Sequence, residues 1–238
     1  MQLGKRSRYF LSHLFCSIFI ACMVLALIFC VWYPTPLAKA VGVSHILFML
    51  IGIDLVIGPI LSFIVYKEGK KTLVFDLSVI IVLQLCALGY GLYNIAQGRP
   101  AWLVYYKNSY ELIRHSDVVA PAGQAVSSPW LGPQYTAVKL SQDPKKYDEE
   151  LTLELKGYSL AQFQERHIAW SKAKDDMQKY AIPVQQLTQF NDSALVQAQL
   201  QKYPQARYFF PLKALEQDMT VLVAQNFDVI DIVDLRPW

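Results

Sequence analysis

Apolar residues arrive in three long runs, over 12–33, 43–66 and 72–95, and then break into short alternating or helically spaced patches. Runs of about 22 to 24 residues, at about 1.5 Å rise per residue, reach roughly 35 Å and so can cross the apolar core of a bilayer. Only Lys67-Glu68-Gly69-Lys70-Lys71 separates the second run from the third, which forces those two helices into an antiparallel hairpin. Beyond residue 98 the pattern shortens. Stretches 102–106 and 110–114 read as strands about a Lys107-Asn108-Ser109 turn, and 135–140 as a weak strand. Asp143-Pro144 is an N-cap followed by proline at the first helical position, opening a helix to Leu155 that Gly157 closes. Ser159 is positioned to cap another, with Leu160, Phe163, His167, Trp170 and Ala173 on one face. Asp192 or Ser193 opens a short helix to Lys202, and 207–212, 220–224 and 229–233 are strands, the last two a hairpin. The expected architecture is a membrane α-helical anchor of three transmembrane helices over 1–98, followed by a small α+β extracytoplasmic domain over 99–238, with helices against an antiparallel sheet.

The runs are interrupted by a few polar positions. Asp54 lies near the middle of the second run, four residues before Gly58-Pro59; Asp76 opens the third run and Gln84 sits near its middle. A carboxylate at membrane depth costs several kcal/mol unless neutralised or paired, so it has to face protein or trapped water. Counting depth from the outer ends puts Asp54 level with Gln84, and Asp76 level with Ser62; these are the expected contacts across the hairpin. Asp54, Gly58 and Ser62 fall on one drifting stripe. Ala87 and Gly91 form a small-xxx-small pair that lets backbones approach. Pro59 removes the helical partner of the Leu55 carbonyl and favours a kink. Asp54, Gly58, Pro59, Asp76, Gln84, Ala87 and Gly91 are therefore the candidate intramembrane and partner-binding residues, by the same logic that also lets them simply hold the helices together.

Charge adds orientation. From Arg99 onward the chain has 15 Lys+Arg and 16 Asp+Glu, so the overall +3 comes from the membrane part. That is a topology signal and not a nucleic-acid footprint. Lys5, Arg6 and Arg8 precede the first run and three lysines lie in the hairpin tip, against Lys39 alone in the intervening loop, which orients the amino terminus inward. Ala38-Lys39-Ala40 imitates a signal-peptidase site, but the apolar core is long for a secretory segment and Pro34 and Pro36 intervene, so the run reads as a retained anchor. Arg99 with Trp102, Tyr105 and Tyr106 reads as an interfacial aromatic belt.

All four cysteines, Cys16, Cys22, Cys30 and Cys86, lie in apolar runs, so the domain beyond residue 98 has no disulfide framework or cysteine-based metal site. No phosphate-loop, dinucleotide, zinc-protease or serine-hydrolase motif occurs in it. His115 and His167 are far apart and without flanking motifs, and Asp148-Glu149-Glu150 reads as a solvated helix face. The expectation is a protein that is not an enzyme and needs no cofactor.

Four pieces occur together: Gly52-x-Asp54-x-x-x-Gly58-Pro59; Phe75-Asp76-Leu77 with Gln84 and Tyr90-Gly91 later in the helix; Arg99-Pro100-x-Trp102-Leu103-Val104; and Asp234-Leu235-Arg236-Pro237-Trp238. In this order the chain resembles the TfpX/TfpZ family of type IV pilin accessory proteins. The resemblance implies a multi-pass protein of the bacterial inner membrane, amino terminus cytoplasmic and carboxyl-terminal domain periplasmic, that serves a type IV pilin as chaperone or assembly factor. Its implied partners are the major pilin, the lipid bilayer and other pilus-assembly components. The residues alone leave open a structural scaffold subunit of a pilus or secretion machine, or a membrane-anchored sensor.

Overall fold

The computed structural model describes residues 4–238. It consists of two compact units, one comprising the chain up to Val31 with Val43–Gly98, the other comprising Trp32–Gly42 with Arg99–Trp238.

The three long apolar helices run Lys5–Trp32, Val43–Val65 and Leu73–Gln97, and all of their residues but Trp32 belong to the first unit. The first helix starts seven residues earlier than hydropathy indicates, because Lys5, Arg6 and Arg8 can extend their charged ends to an interface without breaking a helix. It consists of α1 (Lys5–Leu27) and a π-wound turn Ile28–Trp32. The middle span comprises α3 (Val43–Gly52), a π-wound turn Ile53–Ile57 and α4 (Gly58–Val65); the last span is α5 (Leu73–Gln97). Both π turns end two residues before a proline, Pro34 and Pro59. A π turn matches a carbonyl to the donor five residues on, and five on from Asp54 is Pro59, which has no N–H, so the Asp54 carbonyl is left for a partner outside its own helix.

The middle span packs against both others, burying the stripe Val43, Leu47, Leu50, Asp54, Gly58 and Ser62. At one end Lys5 pairs with Glu68, and Arg6 donates to the Phe63 carbonyl (2.6 Å) with its guanidinium 4.0 Å from the Phe63 ring. The start of α1 thus lies beside the hairpin tip, and the basic residues of both gather at one end of the bundle.

The second unit is a seven-stranded sheet in the order β3-β1-β2-β5-β6-β7, with β4 paired to β5. Strand β1 (Pro100–Tyr106) turns into β2 (Ser109–Arg114) through Lys107-Asn108, whose φ angles of 48° and 65° give the doubly left-handed turn that matches strand twist. Strand β3 (Gln134–Ala137) and β4 (Ile182–Pro183) are short; β5 (Tyr208–Lys213), β6 (Met219–Val223) and β7 (Val229–Val233) form the carboxyl-terminal meander. The sheet is mixed and not antiparallel throughout: β1 runs parallel to β3, and β2 parallel to β5. Those pairs join segments distant in sequence, which local pattern cannot orient.

Alternation sends Phe209 and Phe210 to opposite faces. Phe209 and Leu222 pack with Val184, Leu187 and Val196, the last from α8 (Ser193–Lys202). Phe210, Val221 and Val223 pack with Tyr105, Tyr110 and Met177, the last from α7 (Lys174–Tyr180), and with Leu37 and Ala40 of α2 (Leu37–Val41). Residues 34–42 are therefore not a bare loop: Ala40 O accepts from Glu216 N (2.9 Å), and Lys39 pairs with Asp234 (2.6 Å). Gly42, at φ 76°, ends α2 in the left-handed conformation that favours glycine.

Helix α6 (Pro144–Leu155) has Asp143 as its cap, and α8 has Asp192, as their residue types require. The helix expected from Ser159 is different. Ser159 and Gln162 form a capping box, but three short 3-10 turns follow, Leu160–Gln162, Gln164–Arg166 and Trp170–Ala173, and the chain becomes α-helical only in α7, which ends at Tyr180. Bridges from Phe163 to Val119 and from Ile168 to Ala137 hold the backbone extended between them. Tyr105 and Tyr106 do not form an interfacial belt; they are 1% and 2% exposed inside the unit. Glu150 is not on a solvated face but 1% exposed, receiving Arg166 Nη1 (2.8 Å) and Ser141 N (2.9 Å).

Candidate partner-binding groove in the membrane bundle

Pro59 makes the π turn, and the π turn carries Asp54. Asp54 is 9% exposed, and Gly58, Pro59 and Ser62 are buried beside it on the middle span. Gln84 of α5 comes level with residue 54, as depth requires; its Nε2 donates to the backbone carbonyl of Asp54 (3.2 Å), and its amide also reaches the Asp54 side chain. Its amide lies over Gly58. A Cβ there would stand 1.9 Å from Gln84 Nε2, so only glycine leaves that seat open.

The second expected pair does not form. Ser62 Oγ shares a hydrogen bond with His13 Nδ1 of α1 (2.6 Å), while Asp76 pairs with Lys70 (2.6 Å) and accepts from Thr72 Oγ1 (3.0 Å). A mobile lysine in the adjoining tip answers Asp76 more readily than a hydroxyl across the hairpin, and α1 reaches Ser62 first. Depth counting along two helices cannot see the third. Gly91 receives Leu50, whose Cδ1 lies 2.6 Å from where a Cβ would be, so it serves packing inside the bundle. Ala87, by contrast, is exposed. The seven candidates thus divide: Asp54, Gly58, Pro59 and Gln84 come together, while Asp76, Ala87 and Gly91 lie elsewhere.

Two buried oxygens in this cluster have no hydrogen-bond partner, Asp54 Oδ1 and Gln84 Oε1. Both border a cavity of about 230 Å³ whose wall is α1, from Tyr9 and Ser12 to Val24, whose floor includes Ile51 and Asp54, and whose far side is Ile81, Gln84, Leu85 and Leu88 of α5. The contribution of α1, including Cys16, Ser17 and Ala21, had no signal in the pattern of the second and third runs. Chemically the site is a largely apolar groove that also carries Ser12, Cys16 and Ser17 on its α1 wall, with two acceptor oxygens left without partners.

The histidines of the second unit are structural in their surroundings. His167 stands edge-on to Trp102 (5.2 Å) with Nε2 2.8 Å from the Ala161 carbonyl, and burial pulls its pKa below the ordinary value. It is half-buried. His115 Nδ1 shares a hydrogen bond with Ser128 Oγ (2.6 Å); burial and then the nearby Arg99 lower its pKa. Arg99 is itself buried, donating to Ser128 Oγ (3.0 Å) and lying 4.3 Å over Trp130, which ties down the loop 121–133. Among the described residues no group of three or more His, Cys, Asp or Glu is placed to hold a metal.

Comparison with known proteins points to fimbrial assembly. The profile of the family described as "Fimbrial assembly protein FimB" matches residues 1–42. The chain is 28% identical to the fimbrial assembly protein of serogroup E1 of Dichelobacter nodosus over 94% of this chain and 92% of that protein. It is 31% identical to the serogroup I protein of the same organism over 73% of this chain and 70% of that one. Against the protein of serogroups C1 and C2 it is 38% identical over 45% of this chain and 83% of the relative. No solved structure matches. With such identity carried across the anchor and much of the second unit, the chain belongs to the FimB family of fimbrial assembly proteins.

Proposed function

We propose that the protein is an inner-membrane accessory protein of the TfpX/TfpZ type, a chaperone-like factor that binds one type IV pilin and assists its assembly. The names of its relatives support a part in fimbrial biogenesis. The observation that carries the finer reading is the buried Asp54 carboxylate with an unpartnered oxygen in an apolar bundle. Evolution of a purely mechanical anchor would replace such a group with leucine, since burying it costs free energy and gains no contact.

Before assembly a pilin sits in the membrane by an apolar helix, with its head outside. The first unit offers a surface for the helix and the second a surface for the head. In this reading the bundle end that gathers Lys5, Arg6, Arg8 and the tip lysines is cytoplasmic, and residues 99–238 form a periplasmic domain. The protein acts by binding, without catalysis or a cofactor. Co-purification of pilin with the tagged full chain tests the reading: pilin should be the main partner. Recovery of assembly-machine components without pilin would favour a scaffold instead.

A further inference from the structure

We infer that the groove between α1 and α5, floored by Asp54, is the seat of another protein's membrane-spanning helix that presents a hydrogen-bond donor at mid-membrane depth. This rests on the pilin reading for the identity of the partner, but not for the groove.

The residues specify the occupant. Asp54 Oδ1 and Gln84 Oε1 are both acceptors, both buried and both unpartnered. The Gln84 amide nitrogen donates one N–H to the Asp54 carbonyl. With Asp54 ionised, the two unpartnered oxygens are both acceptors, and an incoming helix that carries a hydroxyl, amide, amine or guanidinium at that depth supplies the donor they lack. A lipid acyl chain has none. The α1 wall points the same way. Ser12 and Cys16, and Ser17 and Ala21, are small residues four apart on the lining. Such pairs let a second backbone approach closely, which a helix exploits and an acyl chain does not need.

The face differs from the one that carries Ala87. Ala87 is exposed, and Gly91 is occupied by Leu50 of the same bundle. Binding through the groove therefore depends on α1, and partner choice is set by whether the incoming helix places its donor level with Asp54.

Cys16 lines the groove, whereas Cys22, Cys30 and Cys86 do not. A full-length chain with Cys22→Ala, Cys30→Ala and Cys86→Ala leaves Cys16 as the only thiol; a companion chain keeps only Cys22. Each is labelled with a benzophenone maleimide in membranes of cells assembling fimbriae, then photolysed, and the adducts are mapped by mass spectrometry. The expected result is a Cys16 adduct to a membrane-spanning segment that carries a donor side chain within its apolar run, with the Cys22 chain giving at least tenfold less. Asp54→Leu should lower the Cys16 adduct about tenfold, the effect of one buried hydrogen bond to a charged group. The variant should still accumulate, because Gln84 still holds the backbone carbonyl of residue 54. Were it lost from membranes, Asp54→Asn, which keeps the shape and one acceptor, should give a drop of about threefold. Lipid adducts, adducts to a second copy of this chain, or adducts indifferent to residue 54 would overturn the groove assignment and leave the pilin reading standing. A donor-bearing helix from a protein other than pilin would keep the groove and overturn the pilin reading.

Discussion

The two units treat buried polar groups in opposite ways. In the second, Glu150 meets Arg166 and Ser141 N, Thr220 Oγ1 donates to the Leu235 carbonyl, and Thr136 Oγ1 donates to the Ile168 carbonyl. Its one buried side-chain atom without a partner, among the described residues, is Trp102 Nε1. In the first, where solvent offers no relief, Asp54 Oδ1 and Gln84 Oε1 stand without partners. The second unit is closed on itself, and its polar groups are spent on stability. The first is chemically incomplete, and the incomplete place is where its helices leave a groove.

If so, mutations should separate. Phe210 stands edge-on to Tyr105 (5.4 Å) and Tyr110 (6.2 Å) in the second unit's core. Phe210→Ala should cost about 3–5 kcal/mol, read as a lower thermal midpoint of that unit in the full chain. Glu150→Leu should cost about 2–4 kcal/mol: it strands Arg166 and Ser141 N, but Arg166 is about one-third exposed, so water offsets part of the loss. Gly58→Ala should cost about 1–2 kcal/mol in the anchor, because the new methyl displaces the flexible Gln84 amide and leaves the Asp54 carbonyl unpaired. Thermal melts in detergent that rank these in the reverse order would break the contrast.

The smallest effect is pH-dependent. Burial holds His167 neutral in the folded state, so its folded pKa lies below the unfolded value. The unfolded chain then takes up a proton first as pH falls. Stability from this group is complete above the unfolded pKa of about 6.5 and declines below it. His115 is shifted in the same direction and adds to the same decline. The midpoint of the full chain should fall between pH 7 and pH 5, and less steeply in His167→Gln. A midpoint that rises over that interval contradicts the assignment.

The three spans were legible because length and hydropathy are local properties, and so were α6 and α8, whose starts rest on the side chains of Asp143 and Asp192 themselves. Residues 160–173 misled because their helical spacing competes with backbone pairing to Val119 and Ala137, partners far away in sequence. The site was half legible. Asp54, Gly58 and Gln84 announce themselves as polar or small positions in apolar runs, and Pro59 as the break. The groove was not, because the rotation of α1 that brings Ser12, Cys16 and Ser17 to it is set by packing on Ser62 and Phe63, through His13, Arg6 and Phe10. For the same reason Asp76, assigned to Ser62 by depth, is bound instead by Lys70.

The most direct test is recovery of pilin with the tagged full-length chain carrying Asp54→Leu, at matched membrane levels of the two chains. Loss of this unanswered carboxylate should cut pilin recovery about tenfold while the anchor's own thermal midpoint holds or rises. Undiminished pilin recovery from the Leu variant would contradict the account.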